Sequence, residues 1–151
     1  DAGAIAAYVN ALVAAGANDE AEATLAKALR QEWNEALIAL YGRVRVERTE
    51  RQISAAEAWL KARPNDPTLL LALGRIMLAN RDWAKAREYL EASLKQRRDA
   101  ETYAELGRLC LAMGERPRAT ELLSQAVALG GQLPELPLPD ATPNDASAAR
   151  S

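Results

Sequence analysis

Residues 67–96, PTLLLALGRIMLANRDWAKAREYLEASLKQ, decide the fold when set beside residues 100–129, AETYAELGRLCLAMGERPRATELLSQAVAL, because the second stretch repeats the pattern of the first after 33 positions. Leu70, Leu73-Gly74, Met77, Ala86, Leu90 and Ser93-Leu94 return as Tyr103, Leu106-Gly107, Cys110, Ala119, Leu123 and Ala126-Val127. A fixed period of roughly 20 to 50 residues marks stacked supersecondary units that cannot bury their apolar faces alone. The spacing has a mechanical reading. Large side chains fill the space between the two helices of a hairpin, Gly74 and Gly107 admit the partner helix closely, and Ala86 and Ala119 do so from the other side. Asp66-Pro67 fits a helix start, with a carboxylate to accept backbone N–H bonds and proline in the first turn. Asn80-Arg81-Asp82 and Gly114-Glu115 mark the turns between helices.

Working outward, an earlier copy runs through Ile5, Tyr8, Leu12, a turn at Gly16 to Asp19, then Ala21, Leu25 and Ala28-Leu29, with Val9 in place of the glycine. Between the copies, Ile38, Tyr41-Gly42, Ala56, Trp59-Leu60 and Pro64 form a degenerate unit whose inter-helix turn, around Arg48 to Arg51, is about two residues short. The periodicity predicts helices at about 3–15, 19–31, 35–47, 51–62, 67–79, 83–96, 100–113 and 117–129. The expected fold is all-α, a right-handed superhelix of about four helical hairpins over residues 1–131. Beyond Gly130-Gly131 the pattern stops, and residues 132–151 carry four prolines among small polar residues. They read as a Pro-rich C-terminal tail, partly disordered, with Leu133, Leu136 and Leu138 expected to lie over the last helix.

Composition narrows the function. About half the residues are apolar, yet Phe is absent, and 19 basic side chains against 21 acidic ones leave a formal charge of −2. That balance gives no field to draw in nucleic acid or an anionic bilayer. Within the arginine-rich stretch Arg43 to Arg51, Glu47 and Glu50 interleave and no aromatic platform accompanies them, so it reads as a solvated helix end and turn. The chain contains no histidine, the commonest general base and a versatile metal ligand. Neither catalysis nor a metal nor a cofactor is expected. Cys110 has no second cysteine to pair with, and its register places it in a helix–helix core. Trp33, Trp59 and Trp83 offer a stacking platform in one reading. In the other, Trp59 packs between helices and Trp83 opens a second helix. No apolar run approaches the roughly 18 residues needed to span a bilayer. The chain opens at Asp1 rather than at an initiator methionine, which reads as a piece of a longer protein with room for a membrane anchor outside it.

The candidate binding residues come from register. One place after each glycine position stand Asn10, Arg43, Arg75 and Arg108. In a stacked array, side chains at one repeat position project side by side as a ladder along the inner face. Ala6, Ala39, Leu71 and Ala104, with Val13, Val46, Leu78 and Leu111, supply an apolar floor. The guanidinium fork suits carboxylate or phosphate, so three in one groove favour an acidic peptide or a carboxylated small molecule. Against this stands the reading that the arginines are ordinary solvated charges paired with Glu47, Glu101 or Glu105.

Across residues 2–131 the hairpin pattern resembles the tetratricopeptide superfamily, which implies protein binding rather than chemistry. More narrowly, the order of Glu20-Ala21-Glu22-Ala23 with a leucine-rich helix, Gln31-Glu32-Trp33, the short second repeat, Arg63-Pro64 to Leu70, and Asp82-Trp83-Ala84-Lys85-Ala86 is similar to the C-terminal part of the bacterial HemY family. That resemblance implies an inner-membrane protein with an N-terminal hydrophobic anchor and a cytoplasmic repeat domain. It also implies a scaffold role in a late step of protohaem biosynthesis, with haem-pathway enzymes as partners. An alternative is a porphyrin or haem carrier or sensor. Its carboxylates would pair with Arg43, Arg75 and Arg108, and only Tyr8, Tyr41, Tyr103, a methionine or Cys110 would remain as iron ligands. No Gly-rich dinucleotide fingerprint occurs. Self-association is a further expectation, because the last hairpin lacks an evident cap.

Overall fold

Short polar side chains begin most of the helices. In the computed structural model, which describes residues 1–132 and Leu138, the side chains of Asp1, Asn34, Asp66, Asp82 and Asp99 accept backbone N–H bonds at the starts of their helices. Each such cap satisfies donors that the helix itself leaves unpaired. The described residues form eight helices and no strand. These are α1 (Ala2–Ala14), α2 (Asn18–Gln31), α3 (Glu35–Tyr41), α4 (Thr49–Ala62), α5 (Pro67–Ala79), α6 (Trp83–Gln96), α7 (Ala100–Ala112) and α8 (Arg116–Ala128). The chain is all-α, as the periodicity predicts. Among the described residues no helix is long and apolar enough to cross a membrane.

Three of the hairpins turn in the same way. At the ends of α1, α5 and α7 the backbone N–H groups of Ala17, Asp82 and Glu115 reach back to the carbonyls of Leu12, Met77 and Cys110 at 2.8, 2.9 and 2.8 Å. The preceding residues Gly16, Arg81 and Gly114 take left-handed backbone, with φ of 80°, 62° and 80°. This pairing of bonds closes a helix C-terminus in three residues and sends the chain back antiparallel.

The second hairpin departs from the pattern. A helix is expected over 35–47, but α3 stops at Tyr41. The buried amide of Gln52, on α4, donates to the carbonyls of Tyr41 at 3.1 Å and Val44 at 2.9 Å, which satisfies acceptors that a longer helix would have used. Arg45 donates to the carbonyl of Gly42 at 2.7 Å. Val44, 2 % exposed, is drawn into the core, while Arg43 and Arg45 point outward. Residues 42–48 therefore cross between α3 and α4 as an irregular link, and the turn is longer than expected rather than shorter.

Two apolar clusters hold the stack together. The first gathers Val9, Leu25, Leu29, Ile38, Tyr41, Leu69, Leu73 and Ile76 from α1, α2, α3 and α5. The second gathers Met77, Leu90, Leu106, Leu109, Cys110 and Leu122 from α5 to α8, and includes Leu138. Each fully buried leucine among them contributes about 2 kcal/mol. Cys110 is fully buried, as its register predicts, and burial raises its thiol pKa. The glycines act as expected in the last two hairpins. A Cβ added at Gly74 would lie 2.5 Å from Leu90 Cδ2, and one at Gly107 would lie 2.8 Å from Leu123 Cδ2. Gly42 serves a different contact: its Cβ would lie 2.6 Å from the Cα of Ala72, so α3 approaches α5 of the next hairpin there, backbone to backbone.

Large aromatic side chains fill the second hairpin instead. Trp59 packs edge-on against Trp33, with ring centroids 5.8 Å apart, and against Tyr41 at 5.0 Å. Arg63 lies 4.3 Å over the Trp33 ring, whose indole N–H donates to Asp66 at 3.2 Å. Trp83 packs against the second cluster. Trp33 and Trp59 share one joint and Trp83 packs at another, so the three form no common stacking platform.

Candidate functional site

The links between hairpins converge on α7. Arg43, in the link after α3, pairs with Glu101 at 3.2 Å. Arg75 of α5 pairs with Glu101 at 3.4 Å and with Glu105 at 3.8 Å. Arg108, one turn along α7 from Glu105, pairs with it at 3.0 Å. Three residues that share one repeat position thus meet in a single cluster. Nearer the helix starts, Glu35 accepts from Thr68 at 2.7 Å and from Arg97 at 2.9 Å, joining the second hairpin to both helices of the third by one carboxylate. Those two hydrogen bonds hold the Glu35 carboxyl below its usual pKa.

The arginines differ in environment. Arg43 is about half exposed, whereas the side chains of Arg75 and Arg108 are 7 % and 13 % exposed. Burial, together with the neighbouring Arg43 guanidinium, pushes the Arg75 guanidinium below its usual pKa against the pull of Glu105 and Glu101. Sequence reasoning sees the ladder as projecting freely into a groove. Arg75 instead lies largely inside the wall, where it joins α5 to α7. The pairing with Glu101 and Glu105 is the one foreseen in the second reading of the sequence, and Glu47 takes no part in the ion pairs of this cluster.

Pairing does not exhaust the positive charge. Arg45, absent from the sequence-based site, lines the same recess as Arg75, Arg108 and Glu105. Desolvation and the guanidiniums of Arg75, Arg43 and Arg108 lower its pKa, while Glu105 pulls the other way. Arg43, Arg45, Arg75 and Arg108 make four guanidiniums, and Glu101 and Glu105 make two carboxylates, so this cluster of described residues carries an excess of two positive charges. The Nε of Arg108 is buried and has no hydrogen-bond partner among the described residues.

Two recesses open on this cluster. One, of about 450 Å³, is lined by Arg45, Val46, Gln52, Arg75, Leu78 and Arg108, with Leu138 at its side. The other, of about 420 Å³, lies between Arg43, Arg75, Glu101, Ala104 and Arg108. Of the apolar residues expected on the groove floor, Leu78 lines the first recess and Ala104 the second, while Leu71 lines a further recess beside Ala39 and Glu35. Leu111 is half-buried against the second core cluster. Asn10 is exposed on α1 and lines neither arginine recess.

No protein-family model matches the chain, and a search of the curated proteins finds no match.

Arg45 was legible in one signal. Arg43-Val44-Arg45-Val46 alternates charged and apolar side chains, the two-residue period of an extended segment rather than of a helix. Read as the end of a helix, the same stretch disperses its arginines around the axis. Read as extended, it places Val44 in the core and both arginines on the outer side.

Proposed function

We propose that this chain is a non-catalytic interaction module whose arginine recesses bind an acidic peptide segment of another protein. The observation that carries the reading is the convergence of Arg43, Arg75 and Arg108 with Arg45 around two carboxylates of the described residues, Glu101 and Glu105, over a floor of Leu78 and Ala104. A carboxylate entering this cluster meets guanidiniums already held in place by the fold, so little ordering entropy is lost on binding. The repeat pattern of the sequence supports a tetratricopeptide-type stack, a protein-binding architecture. By its resemblance to the HemY family, the full-length protein is a scaffold tethered to the bacterial inner membrane, with the enzymes of a late haem-biosynthetic step as its partners.

A pull-down from bacterial membranes tests this reading, comparing the unaltered chain with one carrying Arg43→Ala and Arg45→Ala. Capture of haem-pathway enzymes by the unaltered chain alone supports both the groove and the partner. Equal capture by both chains removes the arginines from the account. A Soret shift on titration with porphyrin would favour the carrier reading instead, in which the arginines hold propionate groups.

A further inference from the structure

Three guanidiniums face one carboxylate in the recess beside Gln52. Among the described residues that line it, Arg45, Arg75, Arg108 and Glu105 are ionisable and Val46, Leu78 and Ala79 are apolar, which leaves two positive charges in excess within about 450 Å³. Leu138, expected over the last helix, is 5 % exposed and lines this recess beside them. The expectations for Leu133, for Leu136 and for a disordered tail fall outside the described residues.

The guanidiniums arrive from three elements: Arg45 from the link after α3, Arg75 from α5 and Arg108 from α7. Arg45 donates to the carbonyls of Gly42 and Val44 at 2.7 and 3.2 Å, both through Nη1, so neither bond uses its Nε and Nη2 edge. Arg75 reaches Glu101 and Glu105 at 3.4 and 3.8 Å, longer than the roughly 2.7 to 2.9 Å of a strong charge-assisted bond. Arg108 shares the Glu105 carboxylate with it at 3.0 Å.

A single incoming carboxylate matches this arrangement in part. It brings one negative charge and two oxygens in one plane, against two excess charges and donors from three directions. A phosphate monoester brings a charge of about −1.5 to −2 near pH 7 and three strong acceptor oxygens. We infer that the recess reads a phosphoserine or phosphothreonine within an acidic segment of the partner, with Arg45, Arg75 and Arg108 around the phosphate. This rests on the peptide-binding reading above and specifies the side chain that occupies the site. A peptide fits better than a free anion, because Arg75, Glu105 and Arg108 also line the second recess, where Ala104 and Arg43 offer flanking residues a surface.

The test titrates fluorescein-labelled peptides into the full chain by anisotropy at about pH 7.5. One alternates glutamate and leucine around a central phosphoserine, and the other carries glutamate at that position. The phosphoserine peptide is expected to bind at least about ten-fold tighter. An Arg45→Gln chain, altered at an exposed residue, should lose most of that advantage. Acidification to about pH 5.5 should erode it as well, because the phosphate becomes a monoanion below its second pKa of about 6. The charged groups facing it are Arg45, Arg75, Arg108 and Glu105, with Arg43 and Glu101 beyond them, and the chain has no histidine to titrate in that window. Equal affinity for the two peptides overturns the phosphate while leaving the acidic-peptide groove in place, and absence of binding by both overturns the two together. An advantage undiminished in the Arg45→Gln chain overturns the assignment to this recess. Inorganic phosphate should displace the labelled phosphopeptide only at far higher concentration than the unlabelled phosphopeptide does, and equal potency overturns the peptide as its source.

Discussion

Arg43 and Glu101 stand 58 positions apart in sequence and 3.2 Å apart in space. Their contact reaches from the second hairpin to the fourth and passes over Arg75 of the third, which shares the same carboxylate. A chain in which repeat-related arginines meet on one helix has two uses for them, as joints between hairpins and as a binding surface, and their exposures separate the two.

Arg43 and Arg45 are exposed, so Arg43→Ala and Arg45→Ala are expected to change stability by no more than about 0.5 kcal/mol each. Arg75 is buried, and Arg75→Ala leaves Glu105 short of one partner inside the wall. A loss of about 3 kcal/mol is expected there. Urea melts of the three variants check this ordering, and an Arg75→Ala chain as stable as the unaltered one would show that the α5–α7 ion pairs are not structural.

Gly42→Ala is expected to be the most damaging of the helix-packing glycine changes. Its new methyl meets the backbone of Ala72, which moves only with the whole of α5, whereas at Gly74 and Gly107 it meets the leucine side chains of Leu90 and Leu123. Overpacking of this kind costs about 1 to 3 kcal/mol, and Gly42→Ala belongs at the upper end. Melting temperatures ranked with Gly74→Ala or Gly107→Ala lowest contradict this.

Tyr41 donates a 2.6 Å hydrogen bond to the buried Glu22 carboxylate. Burial first, and then that carboxylate, raise the phenol pKa well above the usual tyrosine range. The folded state therefore holds the proton more tightly than the unfolded chain. The stability this contributes is complete below the unfolded value near pH 10, and is lost as pH rises beyond it. Tyr41→Phe is expected to lower stability at neutral pH by about 1 to 3 kcal/mol, because Glu22 loses a partner while buried. It should also flatten the decline above about pH 10, leaving the smaller slope due to Tyr89, whose pKa is raised by burial and by Glu57. An unchanged alkaline slope would rule out Tyr41 as its source.

Gln52 satisfies the carbonyls of Tyr41 and Val44 from α4. Gln52→Leu keeps the volume but removes one of two donors from each carbonyl, leaving Tyr41 with the Val44 N–H at 3.3 Å and Val44 with Arg45 at 3.2 Å, at a cost of about 1 to 2 kcal/mol. Because these bonds hold the link that carries Arg45, peptide binding is expected to weaken alongside stability. Full binding by a folded Gln52→Leu chain would uncouple the link from the recess.

How far the sequence could be read depended on which forces acted locally. The last two hairpins were legible, because Asp66 caps, Gly114 turns, and Gly74 and Gly107 pack against their own partner helices at one repeated spacing. The second hairpin was not. Helical periodicity through Val46 competed with Gln52, a residue on the next helix, and the tertiary bonds prevailed over the local pattern. That misreading concealed Arg45, and with it the excess of positive charge. Register aligned Arg75 with Arg43 and Arg108, but register alone does not tell a buried joint from an exposed contact. Leu138 lies beyond the repeat, where no period carries information about which face it meets.

The central claim is that the recess recognises carboxylates through arginines in excess of their internal partners. Its most direct test is the anisotropy of a labelled peptide of alternating glutamate and leucine, titrated into the unaltered chain and into the Arg43→Ala, Arg45→Ala double variant, at about 50 and about 200 mM salt. The account predicts binding that weakens with salt and falls at least about ten-fold in the double variant, a difference of about 1.4 kcal/mol. Affinity that is the same in both chains and at both salt concentrations would contradict it.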